Sequence, residues 1–344
     1  MTTAVEGIQV EQVTRWFEDH VDGVVPPLEF SLIAGGHSNL TFKVTDAAGR
    51  ARVLRRPPLH HVLPTAHDMS REHKIISALG PTPVPVPPAI GLCTDETVNG
   101  TPFYVMDFVE GHVLRTAEIA TGVLDESQRR VAGESLVDVL AEIHSVDVDA
   151  VGLGDLGRRE GYIERQLKRW WSQFEQSKTR DLPVLEDVYR MLKARVPEQG
   201  GATIVHGDYR LDNTMLGDDG QVQAVLDWEI CTLGDPLADV GLLMVYWAEA
   251  GDALDSLPFS PTVLPGFPSR KEVADRYAER SGRDLSRLDF YVAFGYWKLA
   301  CIIEGVYARY VGGAMGAGST GFEHFGDQVV RLAETARAAV DTGR

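Results

Sequence analysis

The stretch Ile204-Val-His206-Gly207-Asp208-Tyr-Arg210-Leu-Asp212-Asn213, followed by Val225-Leu-Asp227-Trp228-Glu229, holds the most unusual residues of this 344-residue chain. Asp208 and Asn213 are five positions apart (213 − 208 = 5), and Asp227 lies 19 beyond Asp208 (227 − 208 = 19). Between them, Gly217-Asp-Asp-Gly220 has the composition of a tight turn. A hairpin there returns the chain on itself, so Asp208, Asn213 and Asp227 are expected to face one cavity. Two carboxylates and an amide oxygen supply hard metal ligands and a proton acceptor, the set that magnesium-dependent phosphoryl transfer requires. A single Asp of this kind is ordinarily a turn or cap residue. The ordered set is what points to chemistry.

Upstream, the first hundred residues read as short strands. Phe30 to Ala34 is apolar, Asn39 to Thr45 alternates, Ala47-Ala-Gly-Arg50 is a turn, and Arg52-Val-Leu-Arg55 is a second short strand. A helix is predicted over Asp68 to Leu79, stopped by Gly80-Pro81. Pro81 to Pro88 carries five prolines and reads as an extended connection. Strands are predicted near Ala89 to Cys93 and over Pro102 to Val109. Beyond Gly111 the pattern turns helical: Glu126 to His144, Tyr162 to Phe174, Val184 to Val196 and Ser269 to Tyr310 carry apolar residues at helical spacing. The expected architecture is α+β. A small antiparallel β lobe (1–106) is followed by a larger, mainly helical lobe (107–344).

His206-Gly-Asp-Tyr-Arg-Leu-Asp-Asn213, Leu226-Asp-Trp-Glu229 and Gly234-Asp-Pro-Leu-Ala-Asp-Val-Gly241 together resemble the aminoglycoside phosphotransferase family, which shares the protein-kinase-like fold. The resemblance runs from about Leu32 to about Tyr246. It is specific because several motifs occur in order, with Gly207 where protein kinases place Arg in H-R-D-x-x-x-x-N. Leu211-Asp-Asn213 with Leu226 to Asp239 is most similar to the kinase-like domains of certain acyl-CoA dehydrogenases.

The resemblance implies roles position by position. Asp208 matches the base that accepts the acceptor's hydroxyl proton, and Arg210 matches a cation near the γ-phosphate. Asn213 and Asp227 match the magnesium ligands. Gly36, Ser38 and Asn39, within Gly35-Gly-His-Ser-Asn39, match the loop that covers the phosphates, although no GxGxxG or GK[ST] occurs there. Alternation puts Val53 against adenine and Arg55 on the α/β-phosphates. Arg55 stands where kinases carry Lys, and Arg56 beside it leaves the register open. Glu72 matches the helix partner of that cation. Met106, Asp107, Phe108 and Val109 match the hinge, whose backbone groups bond the adenine edge. Asp239 is expected to hold the catalytic loop.

Formal charge is 33 − 50 = −17, which disfavours binding of nucleic acid or an anionic membrane surface. Cys93, Cys231 and Cys301 form neither a CxxC nor a disulfide framework, and the N-terminus has no signal-peptide pattern, so a cytoplasmic location is expected. Phe290 to Tyr310 reads as a buried helix interrupted by Lys298 and Glu304, and Trp170-Trp171 and Tyr296-Trp297 read as core. His60, His61, His67 and His73 lack a closed metal-ligand set, and Gly312 to Gly318 reads as a flexible connection. The expected protein is a small-molecule kinase using ATP (GTP stays open) and Mg2+, with an alcohol acceptor and an oligomeric state the sequence does not specify. The acceptor is either an aminoglycoside, bound by carboxylates such as Glu249 and Glu304, or a less polar hydroxy compound such as a hydroxyacyl-CoA. In the second case, the apolar runs Leu242 to Trp247 and Phe294 to Trp297 would line its pocket. A nucleotide-binding regulatory module without catalysis is the alternative of another class.

Overall fold

A computed structural model describes residues 5–33, 39–59, 68–252, 260–312 and 323–342. The chain divides into two units, Met1–Gly111 with Gln223–Glu229, and His112–Val222 with Ile230–Arg344.

In the first unit, helix α1 (Val10–His20) buries Val13, Trp16 and Phe17. Strands β1 (Glu29–Leu32), β2 (Leu40–Thr45) and β3 (Ala51–Arg56) follow, then helix α2 (Met69–Leu79), β4 (Ala89–Cys93), the single turn α3 (Glu96–Asn99) and β5 (Phe103–Asp107). The strands form one antiparallel sheet in the order β1-β2-β3-β5-β4. Alternation on β2 sends Phe42 and Val44 inward to pack with Phe17, Leu54, Phe103 and Val105. The turn between β2 and β3 is closed by Asp46, whose carboxylate accepts from the N–H groups of Ala48 and Arg50. Asp68 caps α2 by accepting from the N–H groups of Ser70 and Arg71. Register places Val53 opposite Met106 and Arg55 opposite Tyr104. From the late insertion, Val225 N–H donates to Pro85 C=O at 2.8 Å, so part of the proline-rich connection bonds to chain that follows it by more than a hundred residues.

The second unit contains α4 (Ala117–Val123), α5 (Glu126–Ser145), α6 (Tyr162–Ser177), α7 (Pro183–Ala194), β6 (Thr203–Val205) and β7 (Thr214–Leu216). The chain leaves it along β8 (Val222–Val225) and returns at β9 (Thr232–Gly234), which pairs antiparallel with β6. Helices α8 (Leu237–Tyr246), α9 (Arg270–Ser281), α10 (Leu288–Val311) and α11 (Glu323–Thr342) complete it. The helical pattern over Ser269 to Tyr310 is thus two helices, parted at Gly282, whose φ of +66° suits glycine and ends α9. Helix α10 runs through the core with Phe294, Trp297, Ala300 and Cys301 buried, and Trp171 and Tyr189 stack beside it. It meets α8 at two glycines: a Cβ on Gly241 would lie 2.4 Å from the Tyr291 carbonyl carbon, and one on Gly295 would lie 3.0 Å from Val245 Cγ2. The architecture is α+β, a small antiparallel sheet unit and a larger, mainly helical one. No helix among the described residues is long and apolar enough to cross a membrane.

Candidate active site

Candidate residues gather in two groups, one in each unit. In the first unit, Arg55 on β3 reaches Glu72 on α2 (Nε to Oε2, 3.0 Å), Asp227 (Nη2 to Oδ1, 2.5 Å) and, more distantly, Glu229 (3.9 Å). Glu72 is buried and also accepts from Tyr104 Oη (3.0 Å) and from Asn39 Nδ2 (2.8 Å). The Asn39 amide is shared with Glu229 at 3.1 Å. Burial opposes the Arg55 charge, but Tyr104 and the carboxylates of Glu72, Asp227 and Glu229 outweigh it and hold the guanidinium protonated. Arg56 faces the other way, donating to the carbonyls of Pro57 and Gly7. Alternation along β3 is the reason: a one-residue step reverses the face. Val53 is buried on the Arg55 face.

Asp227 has φ +62°, the one non-glycine residue in the left-handed region among those described. Such a conformation costs about 1–3 kcal/mol and is retained where surrounding contacts fix it. Here the contact is the short bond from Arg55.

Met106 and Asp107 end β5, and Phe108 and Val109 continue beyond it. Asp107 N–H already donates to Pro88 C=O (2.9 Å), and its carboxylate pairs with Arg52 (3.1 Å), while Lys43 Nζ lies 4.2 Å from the Phe108 ring centre. Of the expected hinge groups, the Asp107 amide is therefore engaged within the sheet unit. Gly36, Ser38, His60, His61, His67 and most of the 312–318 segment lie outside the described residues.

In the second unit, the loop after β6 carries Asp208, Arg210 and Asn213. Asn213 Nδ2 donates to the Asp208 main-chain carbonyl (2.8 Å) and to its carboxylate (3.0 Å), leaving the amide oxygen as an acceptor. Arg210 stands 3.6 Å from Asp208, 3.4 Å from Asp212, and stacks its guanidinium 4.5 Å from the Tyr246 ring centre. Burial, followed by the Asp208 charge, raises the Tyr246 phenol above its ordinary pKa, so Tyr246 stays protonated beside Asp208.

The loop is fastened from α8. Both carboxylate oxygens of Asp239 accept main-chain N–H groups, from His206 at 2.7 Å and from Gly207 at 2.8 Å. His144 approaches the same carboxylate at 3.3 Å through Nε2 and meets Tyr277 Oη at 2.7 Å through Nδ1, which assigns the Nε2–H tautomer. Burial would raise the Asp239 pKa, yet the hydrogen bonds it accepts from His144 and from the Gly207 N–H keep it below the usual carboxylate value. Gly207 has φ +87°, and a Cβ there would press on Ile230 Cδ1 at 3.0 Å. An arginine in its place, as in protein kinases, would be strained.

Glu304 is buried and accepts from the Thr179 main chain and hydroxyl, both at 2.9 Å, while Glu249 pairs with Arg270 at 3.2 Å. Both carboxylates are engaged in structure. In the two apolar runs, Leu243, Val245, Trp247, Phe294 and Trp297 are buried, where α8 and α10 pack against each other and their neighbours. Only Tyr246 of the first run leans toward Asp208. Tyr104, bonded to Glu72, and a buried lysine, Lys298, bonded to Gly207, adjoin the candidate residues and were not singled out by sequence patterns. Lys298 left one trace, a lone ammonium inside an apolar helix.

Asp227 in the first unit and Asn213 in the second each carry a hard oxygen donor of the kind Mg2+ prefers. No closed set of three or more His, Cys, Asp or Glu side chains occurs among the described residues, so any such ion needs ligands from elsewhere.

An antiparallel sheet unit with a buried Arg–Glu pair, joined to a helical unit bearing the Asp208–Asn213 loop, defines the protein-kinase-like fold. A profile of the phosphotransferase enzyme family matches residues 29–291, and the chain belongs to that family. It is 36% identical over 287 residues to acyl-CoA dehydrogenase family member 10 of Mus musculus, covering 82% of this chain and 27% of that protein. It is 33% identical over 311 residues to the Homo sapiens family member 11, covering 88% and 39%. The chain thus spans well under half the length of these curated relatives. A Ralstonia eutropha crystal structure, solved as a candidate aminoglycoside phosphotransferase, is 32% identical with a TM-score of 0.81, covering 96% of this chain and 98% of that one. Choline kinase from Cryptosporidium parvum shares the fold alone, at 11% identity and a TM-score of 0.66 over 97% of both chains.

Proposed function

We propose that the protein transfers the γ-phosphate of ATP to a hydroxyl of a small molecule, with a hydroxyacyl thioester or related hydroxy acid as the acceptor class. The single observation that carries the reading is the Asp208 loop, fixed by Asp239 and bonded to Asn213. Asp208 takes the hydroxyl proton as the oxygen attacks phosphorus. Arg210, held over the Tyr246 ring, supplies positive charge to the transferring phosphoryl group. Arg55, braced by Glu72, binds the α/β-phosphates, with Val53 against the base and residues 106–109 along its edge. The segment with Gly36, Ser38 and Asn39 covers the phosphates. Asn213 and Asp227 would hold magnesium, which neutralises phosphate charge when bound. Little covalent work falls to the protein, so rate comes from positioning and electrostatics.

Two observations support a less cationic acceptor. Glu249 and Glu304, the carboxylates that suited an aminoglycoside, are engaged in structural bonds. The matched relatives include proteins named as acyl-CoA dehydrogenase family members. Incubating the protein with MgATP and matched panels of aminoglycosides and hydroxyacyl thioesters, read by a mass gain of one phosphoryl group, tests the proposal. Phosphorylated thioester is the expected product. Phosphorylation of the amines alone would replace the acceptor class, and nucleotide binding without transfer to any alcohol would favour a regulatory module.

A further inference from the structure

Lys298 sits in the middle of the mostly apolar helix α10, with 8% of its surface exposed. Its Nζ donates to the Gly207 main-chain carbonyl at 2.9 Å and lies 5.7 Å from the Trp170 ring centre. An ammonium is costly to bury without partners, so a lysine kept here must be matched by charge or strong acceptors nearby. Burial does lower its pKa, but Asp208 and Asp239 both act in the opposite direction, while Arg169 adds to the lowering. These are the charged groups facing it from the catalytic loop, α8 and α6.

Gly207 is therefore held by ions of both signs, through its N–H and through its C=O. Asp239 takes the N–H groups of His206 and Gly207 from α8, and Lys298 takes the Gly207 C=O from α10. That carbonyl belongs to the peptide bond whose nitrogen is Asp208 N, so fixing it fixes the plane from which the Asp208 side chain departs. We propose that Lys298 is the positioning residue for Asp208: it locks the Gly207–Asp208 peptide and places a positive charge behind the base. This rests on the assignment of Asp208 as the proton acceptor. The helix crossing at Gly241 and Gly295 brings α10 close enough to α8 for the two clamps to act on either side of one residue, Gly207.

Two measurements on the full chain test this. In protein labelled with 13Cε-lysine, the Lys298 signal, identified by its loss in Lys298→Met, should titrate below the other lysines. Asp208→Asn should move its midpoint lower still, because a carboxylate that supports the ammonium is gone. An unchanged midpoint in Asp208→Asn would overturn the link between the two residues, and this holds whether or not the protein phosphorylates anything. The second measurement is steady-state turnover. Lys298→Met should lower kcat on the order of 10- to 100-fold with KM for ATP unchanged, the size expected for a base displaced by a fraction of an ångström to an ångström. Lys298→Gln, which keeps an N–H donor for the Gly207 carbonyl but no charge, should recover part of kcat. A folded Lys298→Met protein with kcat within about twofold of the parent would refute the positioning role. Absence of phosphoryl transfer by the parent would sink the functional proposal instead, leaving the lysine titration to decide the Lys298–Asp208 link.

Discussion

Arg55 carries a guanidinium where protein kinases place an ammonium, and the difference in shape has a use. A planar fork can hold two carboxylates with separate nitrogens, Glu72 through Nε and Asp227 through Nη2. Arg55→Ala should therefore weaken ATP binding by about tenfold or more, the worth of a charge-assisted hydrogen bond. Arg56→Ala should do so much less, since Arg56 serves the carbonyls of Pro57 and Gly7. Equal or reversed losses by calorimetry would remove Arg55 from the phosphates. Asp208→Asn should reduce turnover by roughly 100-fold or more while nucleotide affinity stays nearly intact, because a general base acts on the acceptor. Near-normal turnover would reassign the base. For Asp227 the informative substitution is Asn, which tolerates the left-handed backbone at φ +62° and so separates charge from strain. Asp227→Asn should largely abolish the thermal stabilisation by MgATP, and a full shift would place the metal on other ligands.

At the scale of elements, the site depends on how closely α8 and α10 approach. Asp239 lies two residues before Gly241, and Lys298 lies three after Gly295, so the glycine crossing sets the separation of the two groups that grip Gly207. Gly241→Ala would drive a methyl into the Tyr291 main chain, which cannot rotate away. Overpacking of this kind costs about 1–3 kcal/mol. A lowered Tm together with a loss of kcat is the expected result. Unchanged Tm and kcat would show that the crossing has slack. Tyr291 itself is anchored by a 2.6 Å bond to Asp235, which limits its freedom to yield.

At the scale of the molecule, a fragment of residues 1–111 should fail to show a cooperative melt. It lacks Asp227 and Glu229, two of the three carboxylates around Arg55, and the Val225 amide that satisfies Pro85. A sharp, reversible transition in circular dichroism would show that the sheet unit folds without them. Sequence patterns made much of the rest legible, for identifiable reasons. Strand β2 alternates because one face is buried, and β4, β5, α2 and α5 carry clear turn or cap signals at their ends. Helix α8 stayed hidden because it is buried all round, and a continuous apolar run has no period to read. Asp208, Asn213 and Asp227 stood out as an ordered motif. Lys298 and Tyr104 did not, since their importance comes from helix packing and sheet register, which bring together residues separated by tens of positions.

The Gln223–Glu229 insertion also bears on how the chain is made. Synthesis must proceed 118 residues past Gly111 (229 − 111) before the sheet unit has its last piece. At about 5–20 residues per second, that is about 6–24 s during which Arg55 and Glu72 exist without Asp227. The larger unit is half synthesised in that interval. Completion of the first unit is thereby tied to the emergence of the second, and a stall of the ribosome between residues 111 and 229 would leave a nascent sheet with a buried cation short of its partners. Slow codons in that interval should raise the demand for chaperones, whereas slow codons after residue 229 should not.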